Sequence, residues 1–392
     1  MMTRNEVREL AAFQLNENNG ATALTFYFQP ERPQDRSHRN EAIVAKDVVK
    51  QALKSSAARG KNGSLHADLD RVFEVVSNLR GQARGKAVFA CSARKFWREF
   101  DLPPQLGGTE IYLQPRFQLK PLAALLGAQP ALCVAVVDRQ RARFFDLRLD
   151  DLEEKPAIVH LLSRSGSSYG YQGYEGGHAE RRVAEEALQH FKAVAERLRV
   201  DFEKGAWDRL VIACNDVNWN ELESQLHPYT KQRVIGRFSI DVASASNEEI
   251  RDHANSLLKK WITDRGSSNA AKAIDFAKSN GRGVTGLRRV LRALESGEVQ
   301  SLYMNDNFAA RAVECPNCGH VDSHLVPLCV ACGHATRELS DVCDAIIPMA
   351  IQRDIELFYL KNNEELDNAG NIAALLRFRS DQGSIGKIAA AS

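Results

Sequence analysis

The sequence predicts an α/β protein of three domains, and three observations carry that prediction. The chain has 392 residues, beyond the size at which a single core stops growing, so two or three domains are expected. The apolar run Ala131–Val137 and the run RLVIAC at Arg209–Cys214 read as strands of a mostly covered sheet. Between them, Val183, Ala187, Phe191, Val194 and Leu198 make one apolar stripe on a helix over Ala179–Leu198. Strands alternating with helices imply a layered α/β core.

The first domain is placed at 1–128. Thr22–Phe28 (TALTFYF) alternates, is rich in β-formers and is closed by Pro30, which predicts a strand. Arg32, Arg36, His38 and Arg39 follow as a short basic loop, able to touch phosphate or simply to stay solvated. Glu41–Lys54 and Ala67–Leu79 carry apolar residues at helical spacing, and Lys86–Cys91 and Thr109–Gln114 read as further strands. The central domain is placed at 129–262. There Ala131–Val137 and Ala142–Leu147 suggest a hairpin, and Ile158–Leu162 a short strand. After Arg209–Cys214, the segments Glu221–Leu226, Val234–Ser239 and Asn247–Trp261 read as helix, strand and helix.

The C-terminal domain is placed at 263–392. Ala270–Lys278 and Thr285–Leu294 are predicted helices, the second stopped at Gly297. Val299–Met304 is a predicted strand. A helix over Asp341–Arg353 has Ser340 as its N-cap and contains Pro348. Ile355–Leu360 and Ile372–Phe378 close the domain as strands. No internal repeat is visible.

The totals restrict function by class. An apolar fraction of 44% and a charged fraction of 26% are ordinary for soluble globular domains. A net charge of +2 is too near neutrality to imply nucleic-acid binding, so any such surface must be a local patch. No apolar run approaches the ~20 residues that span a bilayer, and MMTRNEVREL has no apolar signal-peptide core. A cytoplasmic location and no membrane partner are expected.

Two stretches carry candidate chemistry. In Cys315-x-x-Cys318 and Cys329-x-x-Cys332, separated by ten residues, two knuckles set four thiolates for one tetrahedral Zn²⁺, with no position open to water. The zinc is therefore structural, in a ribbon over 313–334. Disulfides, the alternative, do not suit a chain with no export signal. His320, His324 and His334 read as surface histidines. Cys91, Cys133, Cys214 and Cys343 read as small buried hydrophobes.

The other stretch is SRSGSSYGYQGYEGGHAERR at Ser163–Arg182, with a Gly/Tyr-rich loop over 163–178. A long loop between well-patterned elements is functional or disordered. Tyr169, Tyr171 and Tyr174 can stack on bases or fill an interface, and Arg181 and Arg182 at the helix start can meet phosphate or stay solvated. The glycines match neither the dinucleotide nor the phosphate-loop pattern. No acidic pair and no Ser-His-Asp order supports an enzyme. His178 with Glu180 is a poor base pair, since residues two apart on a helix face different sides.

The domain order resembles the archaeo-eukaryotic class-one release factors and their rescue relative Pelota. It is similar above all to their bacterial relatives, the group that includes the ribosome hibernation factor Balon. GVTGLRRVLRALESGEVQSLYM (283–304), the CPNC after it and GNIAALLRF (370–378) carry the local likeness. The resemblance implies a central domain that enters the ribosomal A site, with its loop at the peptidyl transferase centre. Release factors end that loop in Gly-Gly-Gln. This chain has Gly176-Gly177-His178, with Gln172 elsewhere, and the stop-codon-reading motifs of the first domain are not found.

The expectation that follows is a monomeric hibernation factor, not an enzyme and without catalytic residues. It would occupy the vacant A site, with elongation factor Tu as the implied partner. Tyr169, Tyr171, Gln172, Tyr174, His178, Arg181 and Arg182 would meet ribosomal RNA there, and Arg32, Arg36 and Arg39 would help near the decoding centre. The alternative is a peptidyl-tRNA hydrolase for stalled ribosomes, using Gln172 or His178. A third option is a zinc-ribbon adaptor that binds other proteins.

Overall fold

A computed structural model describes residues 4–15, 21–29, 38–58, 63–78, 85–102, 108–126, 129–148, 151–161 and 175–380. The chain divides into two compact units, one formed by 1–128 together with 265–392 and one by 129–264. The first and third predicted domains therefore share one unit.

The N-terminal segment contains α1 (Arg4–Ala12), β1 (Ala23–Phe28), α2 (His38–Ala58), α3 (Gly63–Ser77), β2 (Gly85–Cys91), β3 (Phe96–Leu102), β4 (Glu110–Gln114) and α4 (Lys120–Leu126). Its sheet runs β3-β2-β1-β4, antiparallel throughout. Every residue of β1 is buried because the strand is covered on both faces. Successive side chains of a strand alternate between faces. Leu24, Phe26 and Phe28 pack with Val49, Leu69, Val72 and Val76 of α2 and α3. Ala23 and Tyr27 turn the other way, into a core shared with the C-terminal segment.

The central unit holds β5 (Leu132–Val137), β6 (Arg141–Arg148), β7 (Asp151–Val159), α5 (Glu175–Glu203), β8 (Arg209–Ala213), α6 (Asp216–Gln225), α7 (Pro228–Lys231), β9 (Val234–Phe238) and the start of α8 (Asn247–Lys278). Its sheet is ordered β7-β6-β5-β8-β9, with β5, β8 and β9 parallel and β6 and β7 joined as antiparallel ribbons. Cys133, Ala135, Val137, Leu210 and Ile212 pack against Phe191, Val194 and Leu198 of α5. Leu132, Val134, Val136 and Val211 pack against Ile250, Ala254 and Leu258 of α8. Burial on both faces is why these strands are continuously apolar in sequence.

Two elements differ from expectation. The strand expected at Ile158–Leu162 runs instead over Asp151–Val159, mostly exposed. It is an edge strand, where charge and Pro156 are tolerated and the apolar signal is lost. The helices expected at Asn247–Trp261 and Ala270–Lys278 are one 32-residue helix. Gly266 sits inside it because a Cβ there would lie 2.9 Å from Leu360 and 3.1 Å from Phe358.

The C-terminal segment adds β10 (Gly283–Thr285), α9 (Leu287–Glu295), β11 (Val299–Asn305), β12 (Ala312–Glu314), β13 (Val321–Asp322), β14 (Arg337–Leu339), α10 (Cys343–Gln352), β15 (Glu356–Leu360), α11 (Glu364–Asn368) and β16 (Ile372–Leu376). One sheet is ordered β10-β16-β11-β15 and a small one β13-β12-β14. After α9, Gly297 takes φ 70° and Glu298 N–H reaches back to the Ala293 carbonyl, a left-handed helix stop. Ser340 is not the cap of α10. Val342 holds that position, and the Asp341 carboxylate accepts from Cys343 N–H at 2.9 Å.

Candidate functional site

The four ribbon cysteines converge. The Sγ atoms of Cys315, Cys318, Cys329 and Cys332 all lie within 4.8 Å of one another, with 3.4 Å between Cys315 and Cys332 and 3.6 Å between Cys318 and Cys329. A tetrahedron with Zn–S of ~2.3 Å has an edge near ~3.8 Å, so the donor set fits Zn²⁺. Each knuckle is built by its backbone. Gly319 and Gly333 donate to the carbonyls of Cys315 and Cys329 at φ 73° and 74°, conformations that need no side chain. The Cys332 thiol is lowered to about 5 by the backbone of His334 and then by Asn317.

The three neighbouring histidines do not belong to this cluster. His320 Nδ1 is 2.6 Å from Glu295, His324 meets Asp322, and His334 lies beside the Cys332 carbonyl. The other four cysteines are buried as expected. Burial raises the Cys214 thiol to about 11 and the Cys343 thiol to about 12.

The second candidate is the start of α5. Its anchor is the predicted stripe, with Ala187, Phe191, Val194 and Leu198 fully buried. The helix begins at Glu175, so residues 175–178 are helical rather than part of the loop. Arg181 and Arg182 therefore lie in the second turn and not at the helix start, and the dipole argument against them weakens. Both are exposed. Arg182 lies 3.3 Å from Glu186 and its side chain is 73% exposed. Tyr169, Tyr171, Gln172, Tyr174, Arg32 and Arg36 lie outside the described residues. Arg39 falls within α2 and His178 within α5.

Sequence reading missed two polar constellations. His190, on the buried face of α5, is fully buried, and its Nδ1 is 2.8 Å from Nδ1 of His160, just after β7. One ring must donate and the other accept. Burial lowers the His190 pKa. A histidine next to Phe191 was the only signal, and it does not name a partner.

The other is a buried charge cluster in the two-segment unit. Arg116 donates to both carboxylate oxygens of Glu314 at 2.6 Å, and Arg337 donates to the same carboxylate at 2.8 Å. Glu314 is the residue before Cys315, and it stands directly opposite Arg337 in the ribbon sheet.

Residues 118–257 match the model of bacterial archaeo-eukaryotic release factor family 10. Peptide chain release factor subunit 1 of Pyrococcus abyssi (strain GE5 / Orsay) is 24% identical over 318 residues, covering 71% of this chain and 74% of that protein. The chain is release-factor-like. Among solved structures, Archaeoglobus fulgidus Pelota is similar at 12% identity and a TM-score of 0.36, with 96% of this chain and 93% of that one covered. An archaeal translation termination factor, aRF1, is similar at 16% identity and a TM-score of 0.27, with 96% and 99% covered. Among the described residues of this release-factor-like chain, no helix is long and apolar enough to cross a membrane.

Proposed function

We propose that the chain is a ribosome-binding factor that occupies the vacant A site, with its Gly/Tyr segment reaching toward the peptidyl transferase centre. Occupancy there blocks translation and protects idle ribosomes, which is hibernation. The observation that carries this reading is the family match over residues 118–257, the region that contains the 163–178 segment. A position resembling the release-factor Gly-Gly-Gln holds Gly176-Gly177-His178 instead, and this supports binding without hydrolysis.

In this reading α5 is a rigid strut on a covered sheet. Arg181 and Arg182 stand exposed near its N-terminal end, placed to neutralise phosphates, and Tyr169, Tyr171 and Tyr174 stack on bases at about 1–3 kcal/mol each. The four-thiolate ribbon holds structure and performs no reaction, because four thiolates fill the zinc shell. Elongation factor Tu is the proposed carrier to the ribosome, and the protein acts as a monomer in the cytoplasm.

The test is sedimentation of the purified chain with vacant 70S ribosomes across a salt series, beside peptide release from ribosomes loaded with peptidyl-tRNA. Binding that weakens steeply as salt rises, with no release, is the expected result. Release that disappears in Gln172→Ala or His178→Ala would overturn it in favour of a peptidyl-tRNA hydrolase. Failure to sediment at any salt would remove the ribosome from the account.

A further inference from the structure

The four-cysteine ribbon meets the N-terminal segment at Arg116, which bonds Glu314 beside the first knuckle. The Arg116 side chain is 9% exposed and that of Glu314 6%. One nitrogen, Nη2, donates to both Glu314 oxygens. The other, Nη1, donates to the Asp344 carbonyl at 2.9 Å. The residue four positions on is Pro348, which has no N–H, so that carbonyl lacks the usual helical donor. A proline inside the helix thus frees an acceptor, and an arginine from more than two hundred residues earlier takes it.

Adjacent residues extend the same seam. Gln118 donates to the Asp344 carboxylate at 3.0 Å, and Lys120 donates to the Phe308 carbonyl at 2.9 Å. On the far side, Gln352 of α10 donates to the Ala11 carbonyl of α1. Leu10, Leu15, Phe117 and Leu119 share a core with Val342, Ile346 and Ile347, and that core also takes in Ala312, Val321 and Leu339 from the three ribbon strands.

The ribbon sheet cannot hold this seam by its own strength. Its strands have three, two and three residues, far below what a sheet needs for independent stability. In such a small element the metal supplies most of the folding free energy. Glu314 is the residue before a ligand and Arg337 is its cross-strand partner, so both are positioned by whatever holds the knuckles closed. If the sheet loosens, Arg116 and Arg337 are left as two cations near one another, and a broken buried pair is strongly destabilising.

We propose that the zinc ribbon is a latch, holding the N-terminal segment onto the C-terminal segment through Glu314, so that metal occupancy sets whether α1 and the 116–120 strip stay docked. Removing the metal releases α1 and the 116–120 strip, while the N-terminal sheet keeps its own second core against α2 and α3. The ribbon then has a function beyond local structure, and it links zinc supply to the integrity of the two-segment unit.

Amide hydrogen exchange on the full chain tests this, with and without a zinc chelator. The expected result is faster exchange in 4–12 and 116–126 together with 312–339, by about a hundredfold or more, the size set by one broken buried pair. The sheet of 129–264 serves as the internal reference. Faster exchange confined to 312–339 would overturn the latch. Should chelation unfold the whole two-segment unit, Glu314→Gln decides, since Glu314 is not a ligand and the variant keeps its zinc, counted by metal analysis. Deprotection of 4–12 and 116–126 with zinc still bound supports the latch, and unchanged exchange there refutes it.

Discussion

The unit at 129–264 is made from one stretch of chain, and its two cores are filled by apolar residues that neighbour one another in sequence order. The other unit is made from two stretches separated by that insertion. It is joined by an apolar core together with a buried carboxylate gripped by two arginines. Hydrophobic burial scales with area and tolerates small adjustments. A buried ion cluster depends on geometry and fails when one partner is lost. The continuous unit should therefore lose stability gradually with mutation, and the joined unit abruptly.

The largest effect is expected at the metal. On the zinc reading, Cys315→Ser removes one of the four converging thiols and should forfeit much of the ~10–16 kcal/mol that zinc supplies to small metal-dependent elements. Calorimetry would then show the two-segment unit melting at a lower temperature, with the 129–264 transition retained. A single shared transition that moves as a whole would break the distinction between the units.

A matched pair of substitutions sharpens the comparison. Phe191→Ala empties a fully buried site in the central unit and should cost about 3–5 kcal/mol. Glu314→Ala should cost a similar ~3–5 kcal/mol, but in the other unit. Denaturant unfolding followed by peptide-resolved hydrogen exchange should place each loss in its own unit.

Acid pH gives the smallest expected effect. Burial lowers the pKa of His190 below its ordinary value of 6.5, so the folded state holds it neutral while the unfolded chain binds a proton more readily. Stability from this residue is complete above that value and is lost as pH falls through it toward the folded pKa. His190→Gln should flatten the stability profile of the central unit in that window. An unchanged slope would mean that another group titrates there.

How legible each part was follows from the same physics. Strands such as β5 and β8 were readable because burial on both faces leaves an unbroken apolar run. The ribbon was readable because thiolate spacing is local. Edge strand β7 was misplaced because its exposed residues carry charge, and α8 was read as two helices because Gly266 serves a packing contact with Phe358 and Leu360. The seam was invisible. Arg116, Glu314 and Pro348 are ordinary in their own segments, and only the fold brings a freed carbonyl and a carboxylate to one guanidinium. Arg181 and Arg182, which sequence reading put at the helix start, are exposed on α5 one turn later.

The central claim is that this release-factor-like chain occupies ribosomes rather than acting on peptidyl-tRNA. The most direct measurement is electron cryo-microscopy of the chain bound to vacant 70S ribosomes. The account predicts density for the 129–264 unit in the A site, with residues 163–178 against ribosomal RNA at the peptidyl transferase centre and Arg181 and Arg182 on phosphates. Density for the chain at any other ribosomal site, or that segment turned away from the peptidyl transferase centre, would contradict it.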